Sequence, residues 1–462
     1  MPGRGRHRVA GIAQLALGLI GLMLLVPASG SARERFDVRV FAHVPTPGAP
    51  EGLAIARDGK VYVGTLNAEE GDKRAPSRVF AYSPSGKLER SYEIEGQNLA
   101  EEHGITGFAF DAEGRLYIGD LSPPRVLRLD LRTGRQETYA TFRDVKPCGS
   151  APPGNCSAGI RDFPSWPDYL AFTPDGTLYE TDSLQSLIWR IPKGGGKGRI
   201  FLTDPRLQSL IGSPGFGPSA MSLMPDRRTL MFTTIEGPTG DGDPTAGRLW
   251  KLPIRPDGRP GELKEFWTSE SADGPGGIGF GRRSGDIYMA LSGSNQMVLL
   301  SPEGKELERA PSPAANEMQQ VPFDSPLAVV FSGDRLLVTN SGFLSGSASS
   351  WAVLDVFAGE PGVAPLVPRI GAASRLPRLH LRVSPRRVRA GRTVRFRFRV
   401  TGRGGRRVRG ARIAFAGRHA RTGRRGRAAI KRRLRRRGVY RARACKRGYR
   451  CARARVRVLR RR

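Results

Sequence analysis

A chain of 462 residues, 39% hydrophobic and 26% charged, is too long for one ordinary domain, although a propeller or barrel absorbs more length than most folds. Its charge is uneven: Arg375–Arg462 carries 37 of the 76 Lys and Arg residues and no Asp or Glu, leaving 39 bases against 42 acids in residues 1–374. That break marks a domain boundary, and no segment after the first thirty or so residues is apolar enough to span a bilayer, which excludes a multispan membrane protein.

The N-terminus reads as a secretory signal over residues 1–32; the alternative, an uncleaved anchor, is disfavoured because the apolar run is shorter than a membrane-spanning helix needs. Arg4, Arg6 and Arg8 form a basic region, Ile12 to Val26 is an apolar run, and small residues up to Gly30 and Ala32 offer cleavage. FDVRVFAHV, Phe36–Val44, is a strand with no partner nearby in sequence. Six copies of one pattern follow: PEGLAIARDGKVYVGTL from Pro50, ITGFAFDAEGRLYIGDL from Ile105, PDYLAFTPDGTLYETDS from Pro167, PSAMSLMPDRRTLMFTTI from Pro218, PGGIGFGRRSGDIYMALS from Pro275 and PLAVVFSGDRLLVTNS from Pro326. Their starts are 55, 62, 51, 57 and 51 residues apart, a period that signals a repeat architecture. Each copy is a strand, an Asp/Gly turn and a second strand. A third strand follows (RVFAYSP, RVLRLDL, LIWRIPK, RLWKLPI), and usually a fourth. Four short strands per repeat, with no sustained helical period, describe a six-bladed β-propeller over residues 33–372. Phe36–Val44 is expected to complete the sixth blade and close the ring.

Four cysteines fall into two close pairs, Cys148 with Cys156 and Cys445 with Cys451. Neither pair has CxxC spacing, so two local disulfides of an exported protein are expected. No G-x-S-x-G elbow, HExxH, phosphate loop or dinucleotide fingerprint is present, so the enzyme classes built on those motifs lose support.

PEGLAI in the first repeat, PDYLAFTPDGTLYETDS in the third and GPSAMSLMPDRRTL in the fourth resemble the senescence marker protein, gluconolactonase and luciferin-regenerating-enzyme-like family of propellers, over about residues 36–370. The resemblance implies calcium at the mouth of the central channel and hydrolysis of a lactone or related ester. The implied ligands are a Glu in the first blade, Asn in the third and fourth and an Asp in the fifth. Glu51 stands at the Glu position. Asp168 replaces the first Asn, Ser219 the second, and Gly276 occupies the Asp position with no side chain. Glu51 and Asp168 are therefore the candidate metal ligands, and Asp168 and His103 the candidate catalytic groups, His103 as a base near neutral pH. The plainer readings are that Glu51 and Asp168 bond the amides of the turns before their strands, and that His103 is solvated in a polar loop. Asp120, Asp182 and Asn340 recur at the end of the second strand and are read as structural. The loop holding Glu236, Asp241 and Asp243 lacks EF-hand spacing and is read as surface loop.

From Leu379 the chain alternates Arg with apolar residues, as in TVRFRFRV and ARARVRV, the period of half-buried strands. Five to seven such strands in residues 373–462 describe a small β-sandwich resembling bacterial immunoglobulin-like modules. Its arginine surface would attract anionic cell-envelope polymers or lipid head groups; nucleic acid is disfavoured by secretion and by the lack of a recognition motif. Together these features favour a secreted or envelope-associated propeller that has lost catalysis, serves as a binding or scaffold protein, and admits a small molecule at its pore. The alternative is a calcium-dependent hydrolase.

Overall fold

The computed structural model describes residues 33–66, 75–149, 155–209, 215–237, 243–371, 379–446, 449 and 451–460; residues 1–32, read from sequence as a secretory signal, lie outside them. The chain is all-β and propeller-like. Among the described residues, six antiparallel sheets are built from 38–357. Their first strands are Ala49–Ile55, Ile105–Phe110, Pro167–Phe172, Pro218–Leu223, Pro275–Phe280 and Pro326–Ser332, the strands that open the six sequence repeats. Each packs against the next, and Pro326–Ser332 packs back against Ala49–Ile55, so the inner strands form a closed cycle.

Closure uses the unpaired N-terminal strand. Val38–His43 adds to Ala352–Phe357 at the edge of the sheet that also holds Arg335–Asn340 and Pro326–Ser332, as its sequence position suggested. The second sheet covers its own edge another way, with Gly196–Lys197 pairing in parallel beside Arg135–Thr141.

The turns behave as their residues require. In Pro174-Asp175-Gly176, Asp175 Oδ1 accepts from Thr177 N at 2.9 Å, and Gly176 takes φ 84°, a conformation free of steric cost only for glycine. The fourth repeat has Arg227 at φ 60° instead.

At the axis the strands approach very closely. All six inner strands skip register over three residues at their start, from the first residue in five of them, as between Pro167 and Leu170, and from the second in Ala49–Ile55, between Pro50 and Leu53. These bulges turn the strand starts inward. A Cβ on Gly52 would lie 2.1 Å from the Thr106 carbonyl oxygen, and one on Gly107 would lie 2.4 Å from that of Asp168. Hydroxyls then stitch neighbours together: Thr106 Oγ1 donates to Pro167 O at 2.8 Å, Thr181 Oγ1 to Ser219 O at 2.7 Å, and Thr339 Oγ1 to Glu51 O at 3.1 Å. Between sheets the core is apolar and aromatic, with Tyr117 edge-on to Phe172 at 4.9 Å.

Beyond β-strand Ala352–Phe357 the chain does not leave the sheets at once. Val363 N bonds Phe280 O on the fifth sheet, and Ala112 N on the second sheet bonds Pro368 O. Residues 361–371 thus form a strap across one end of the channel.

Residues 380–459 form a three-stranded sheet (His380–Ser384, Thr393–Thr401, Arg427–Arg433) and a five-stranded one (Arg387–Arg389, Ala452–Leu459, Gly438–Cys445, Arg412–Phe415, Arg418–Arg421). Eight strands exceed the expected five to seven because strands of three or four residues show too little alternation to be read. In Thr393–Thr401 the phenylalanines and Val400 are buried while the arginines face solvent, and Phe396 packs on Phe415 at 4.9 Å. Both cysteine pairs, Cys148–Cys156 and Cys445–Cys451, are disulfides, as suits an extracellular or periplasmic protein. No helix among the described residues is long and apolar enough to cross a membrane.

Because main chain, not a movable side chain, faces Gly107, Gly107→Ala is expected to lower stability by roughly 1–3 kcal/mol. A urea midpoint equal to that of the wild type would show that the ring widens freely at this point.

Candidate functional site

Counting round the ring at the residue after each inner strand's bulge begins gives Glu51, Thr106, Asp168, Ser219, Gly276 and Leu327. Two of these six are acids, and the fold brings them together. Glu51 and Asp168 are 7% and 5% exposed and lie within hydrogen-bonding reach of each other. Ser183 Oγ donates to Asp168 Oδ2 at 2.9 Å, and the Ser219 hydroxyl stands near enough to favour the ionised form. Glu51 Oε2 and Asp168 Oδ1 are buried with no donor of bonding geometry. Glu180 Oε2 is likewise buried without a donor, and a proton held between the Glu51 and Asp168 carboxyls would satisfy an oxygen on each.

The electrostatics agree. Burial first, and then the Asp168 charge, hold the Glu51 carboxyl well above its ordinary range. Burial pushes Asp168 up to about 6 despite the hydroxyls that favour its charge. Both shifts are upward, and the two carboxyls titrate as a pair.

Two further groups complete the site, and neither was singled out from sequence. Glu180, fully buried on the second strand, accepts from Asp168 N at 2.9 Å through Oε1, and burial raises it strongly. Tyr169 packs both against the cluster of Leu53, Ala328 and Leu337 and against that of Ala171 and Met221. Its ring therefore spans the channel from the third and fourth sheets to the first and sixth. Its buried hydroxyl has no partner, and burial, Asp168 and Glu51 all disfavour its ionisation. Ser183 carried a signal only as the residue that follows the second strand: the hairpin pairs Pro167 with Asp182 and sets Ser183 opposite Trp166, and its bond to Asp168 comes with the bulge after Pro167. Tyr169 and Glu180 gave no such signal, because apolar-run tyrosines and strand glutamates are ordinarily core edge and surface.

His103 has a different place. It is 1% exposed, not solvated, and its ring nitrogens lie 2.9 Å from Glu101 O and 2.8 Å from Ala75 O. Both nitrogens face main-chain carbonyls, which ties the ring to two loops. Asp182 accepts from Ser165 Oγ, Trp166 N and Trp189 Nε1, Asp120 from Gln97 and Arg125, and Asn340 bonds Asp324 N and the Pro322 and Ser350 carbonyls. These three pin loops to strands. In the acidic loop, Glu236 accepts from Ser209 and Asp243 caps Thr245 N at 2.8 Å; Asp241 lies outside the described residues.

A calcium ion asks for six to eight oxygens. Here two carboxyls lie together, Gly276 contributes no side chain, and the carbonyls of Glu51, Pro167 and Ser219 already accept from Thr hydroxyls. Among the described residues no three His, Cys, Asp or Glu side chains converge on one metal position. The donor set does not match a full calcium site.

No family model matches the chain, and no curated protein matches it. Among solved structures it is similar to a calcium-binding protein, regucalcin, from Agrobacterium tumefaciens, at 18% identity over 73% of this chain and 98% of that one, with TM-score 0.49. It is also similar to luciferin-regenerating enzyme, at 13% identity over 72% and 99%, TM-score 0.49. A third likeness is to a gluconolactonase from Xanthomonas campestris, at 14% over 71% and 89%, TM-score 0.46. At these scores the likenesses carry no functional argument.

The carboxyl pair makes stability depend on pH in an unusual sense. From about pH 4 to 6 the folded protein keeps protons that the unfolded chain has released, so stability is lost as pH rises through that window, and Glu51 prolongs the loss above it. Glu51→Gln keeps a donor for Asp168 without a titrating proton. We expect it to flatten the fall between pH 5 and 8, by an amount on the order of 1–3 kcal/mol, in urea unfolding at the two pH values. A wild-type midpoint that climbs from pH 5 to 8 contradicts the shared proton.

Proposed function

We propose that the protein is a secreted binding protein of two domains. Residues 33–372 are a six-bladed propeller of the lactonase-like kind whose pore takes a small molecule. Residues 373–462 are an immunoglobulin-like module that attaches it to anionic polymers or lipid head groups of the cell envelope. One observation carries the attachment. On the three-stranded sheet Arg382 lies opposite Arg399, which lies opposite Arg427, and Arg395 lies opposite Lys431. Like charges directly across strands destabilise a sheet, and among the described residues no ion pair relieves them. The same face holds an open groove of about 780 Å³ lined by Arg382, Arg386, Arg395, Arg397, Arg399 and Arg427. A bound polyanion supplies the missing countercharge, and its hold weakens as salt screens it.

In this reading the pore is not a hydrolytic centre, and His103 holds loops in place. The second reading, a calcium-dependent lactone or ester hydrolase using Glu51 and Asp168, draws on the two orphaned carboxyl oxygens, which a cation would satisfy as a proton does.

Retention of the full-length protein on isolated cell envelope should fall steeply between low and physiological salt, and replacing Arg382, Arg399 and Arg427 together with Gln should lower the eluting salt concentration. Retention that is absent, or indifferent to salt, overturns the attachment. For the pore, melting temperature is compared with calcium and with chelator. The binding-protein reading expects no difference in wild type, Glu51→Gln or Asp168→Asn, whereas a calcium-dependent rise abolished by both substitutions establishes the hydrolase reading's metal.

A further inference from the structure

The outer face of the three-stranded sheet offers donors and almost nothing else. From Arg375 to Arg462 the chain has no Asp, Glu, Asn or Gln, so side-chain oxygen and nitrogen acceptors there are confined to hydroxyls and two histidines. The register sorts the face into rows. Arg397 lies opposite Ser384 on one side and Ala429 on the other. One neighbouring row is Arg382, Arg399 and Arg427, and the other pairs Arg395 with Lys431. Two small residues thus flank one arginine inside a frame of long basic side chains, leaving a notch at each. Ser384 and Ala429 both line the open groove of about 780 Å³, together with six arginines. Among the described residues none of the six is in an ion pair.

Three properties choose the occupant. Sugars, uronic acids included, carry hydroxyls that need acceptors as well as donors, and this face lacks acceptors. A phosphodiester is acceptor-only, and its tetrahedral oxygens take guanidinium forks from several sides at once, as a planar carboxylate does not. No Phe, Tyr or Trp and no aliphatic side chain larger than alanine points outward from the three strands. The face therefore has nothing to bury among acyl chains and no such ring on which a base could stack. The two notches lie two strand spacings apart, about 10 Å, a separation that suits two phosphates of one flexible chain better than a lone ion.

We propose that this groove binds a phosphodiester polymer without bases, a polyol phosphate, with one phosphate over Ser384, another over Ala429 and Arg397 between them. The inference rests on the attachment reading of the basic domain and adds the chemistry of the partner and the place where it sits.

The test titrates the full-length protein at fixed salt with synthetic poly(glycerol phosphate), and with polygalacturonate and a single-stranded DNA oligonucleotide of the same charge number. Vesicles of phosphatidylglycerol are the fourth probe, at equal phosphate concentration. Poly(glycerol phosphate) is expected to bind most tightly and to compete the protein off the vesicles. Replacing Arg382, Arg397 and Arg399 with Gln should weaken that binding about tenfold or more, as lost phosphate contacts do. The charge-matched change at Arg441, Arg453 and Arg455, exposed on the five-stranded sheet, should weaken it less than about threefold, the loss of diffuse attraction alone. Ala429→Trp fills one notch without altering charge and should also weaken binding by about threefold or more, because a phosphate contact is lost. If polygalacturonate, the oligonucleotide or the vesicles bind as tightly as the polyol phosphate, the partner chemistry is wrong although the attachment stands. Equal losses from the two triple substitutions, or undiminished binding by Ala429→Trp, show diffuse charge and overturn the site. If no polyanion binds, the attachment reading falls with the inference.

Discussion

Everything at the centre of this protein follows from how near the inner strands come to one another. With main chain 2.1 Å from the position of a Gly52 Cβ and 2.4 Å from that of a Gly107 Cβ, the ring cannot tighten, and the hydroxyl stitches from Thr106, Thr181 and Thr339 keep it from spreading. A ring this narrow has no room for a hydrated acid. Any carboxylate placed at a strand start must leave water behind, and a buried charge without a partner is costly enough that the group takes up a proton instead.

Glu51 and Asp168 meet that condition together. Among the described residues no base shifts either carboxyl, so a proton held by the pair is favoured, and Ser183 bonds Asp168. The same crowding explains why a calcium set is difficult to complete here. The carbonyls of Glu51, Pro167 and Ser219 are already committed to the strand stitches, and Gly276 offers no side-chain oxygen.

The periodic features of the fold were readable from sequence, because the repeat, its Asp/Gly turns and the closing strand at Phe36–Val44 are patterns of spacing. Glu51 and Asp168 were readable as a pair for the same reason, since they occupy one position in two repeats. What escaped was whatever depends on distance across the ring. Tyr169 looks like one more strand tyrosine until its contacts with the first and sixth sheets are seen. Glu180 looks like a solvent-facing strand residue until it is found fully buried. His103 sits in a run of polar residues, EEHG, that gives no hint of its burial or of the two carbonyls that engage it. The strap was invisible as well, because a Pro-rich stretch after the last strand reads as a linker whether or not it is packed.

The two parts of the chain sort ligands by charge in opposite ways. In the arginine-rich part, alternation puts every arginine of Thr393–Thr401 into solvent and every phenylalanine into the core, so a high positive charge is tolerated by exposure, and an anion is its natural complement. In the pore the charge is negative, buried and shared, and the complement there is a proton or a neutral molecule. If an anionic polymer holds the protein through its arginine face, as proposed, the buried acids of the channel would repel it, so the proposed attachment and the proposed occupation of the pore would not compete for one ligand.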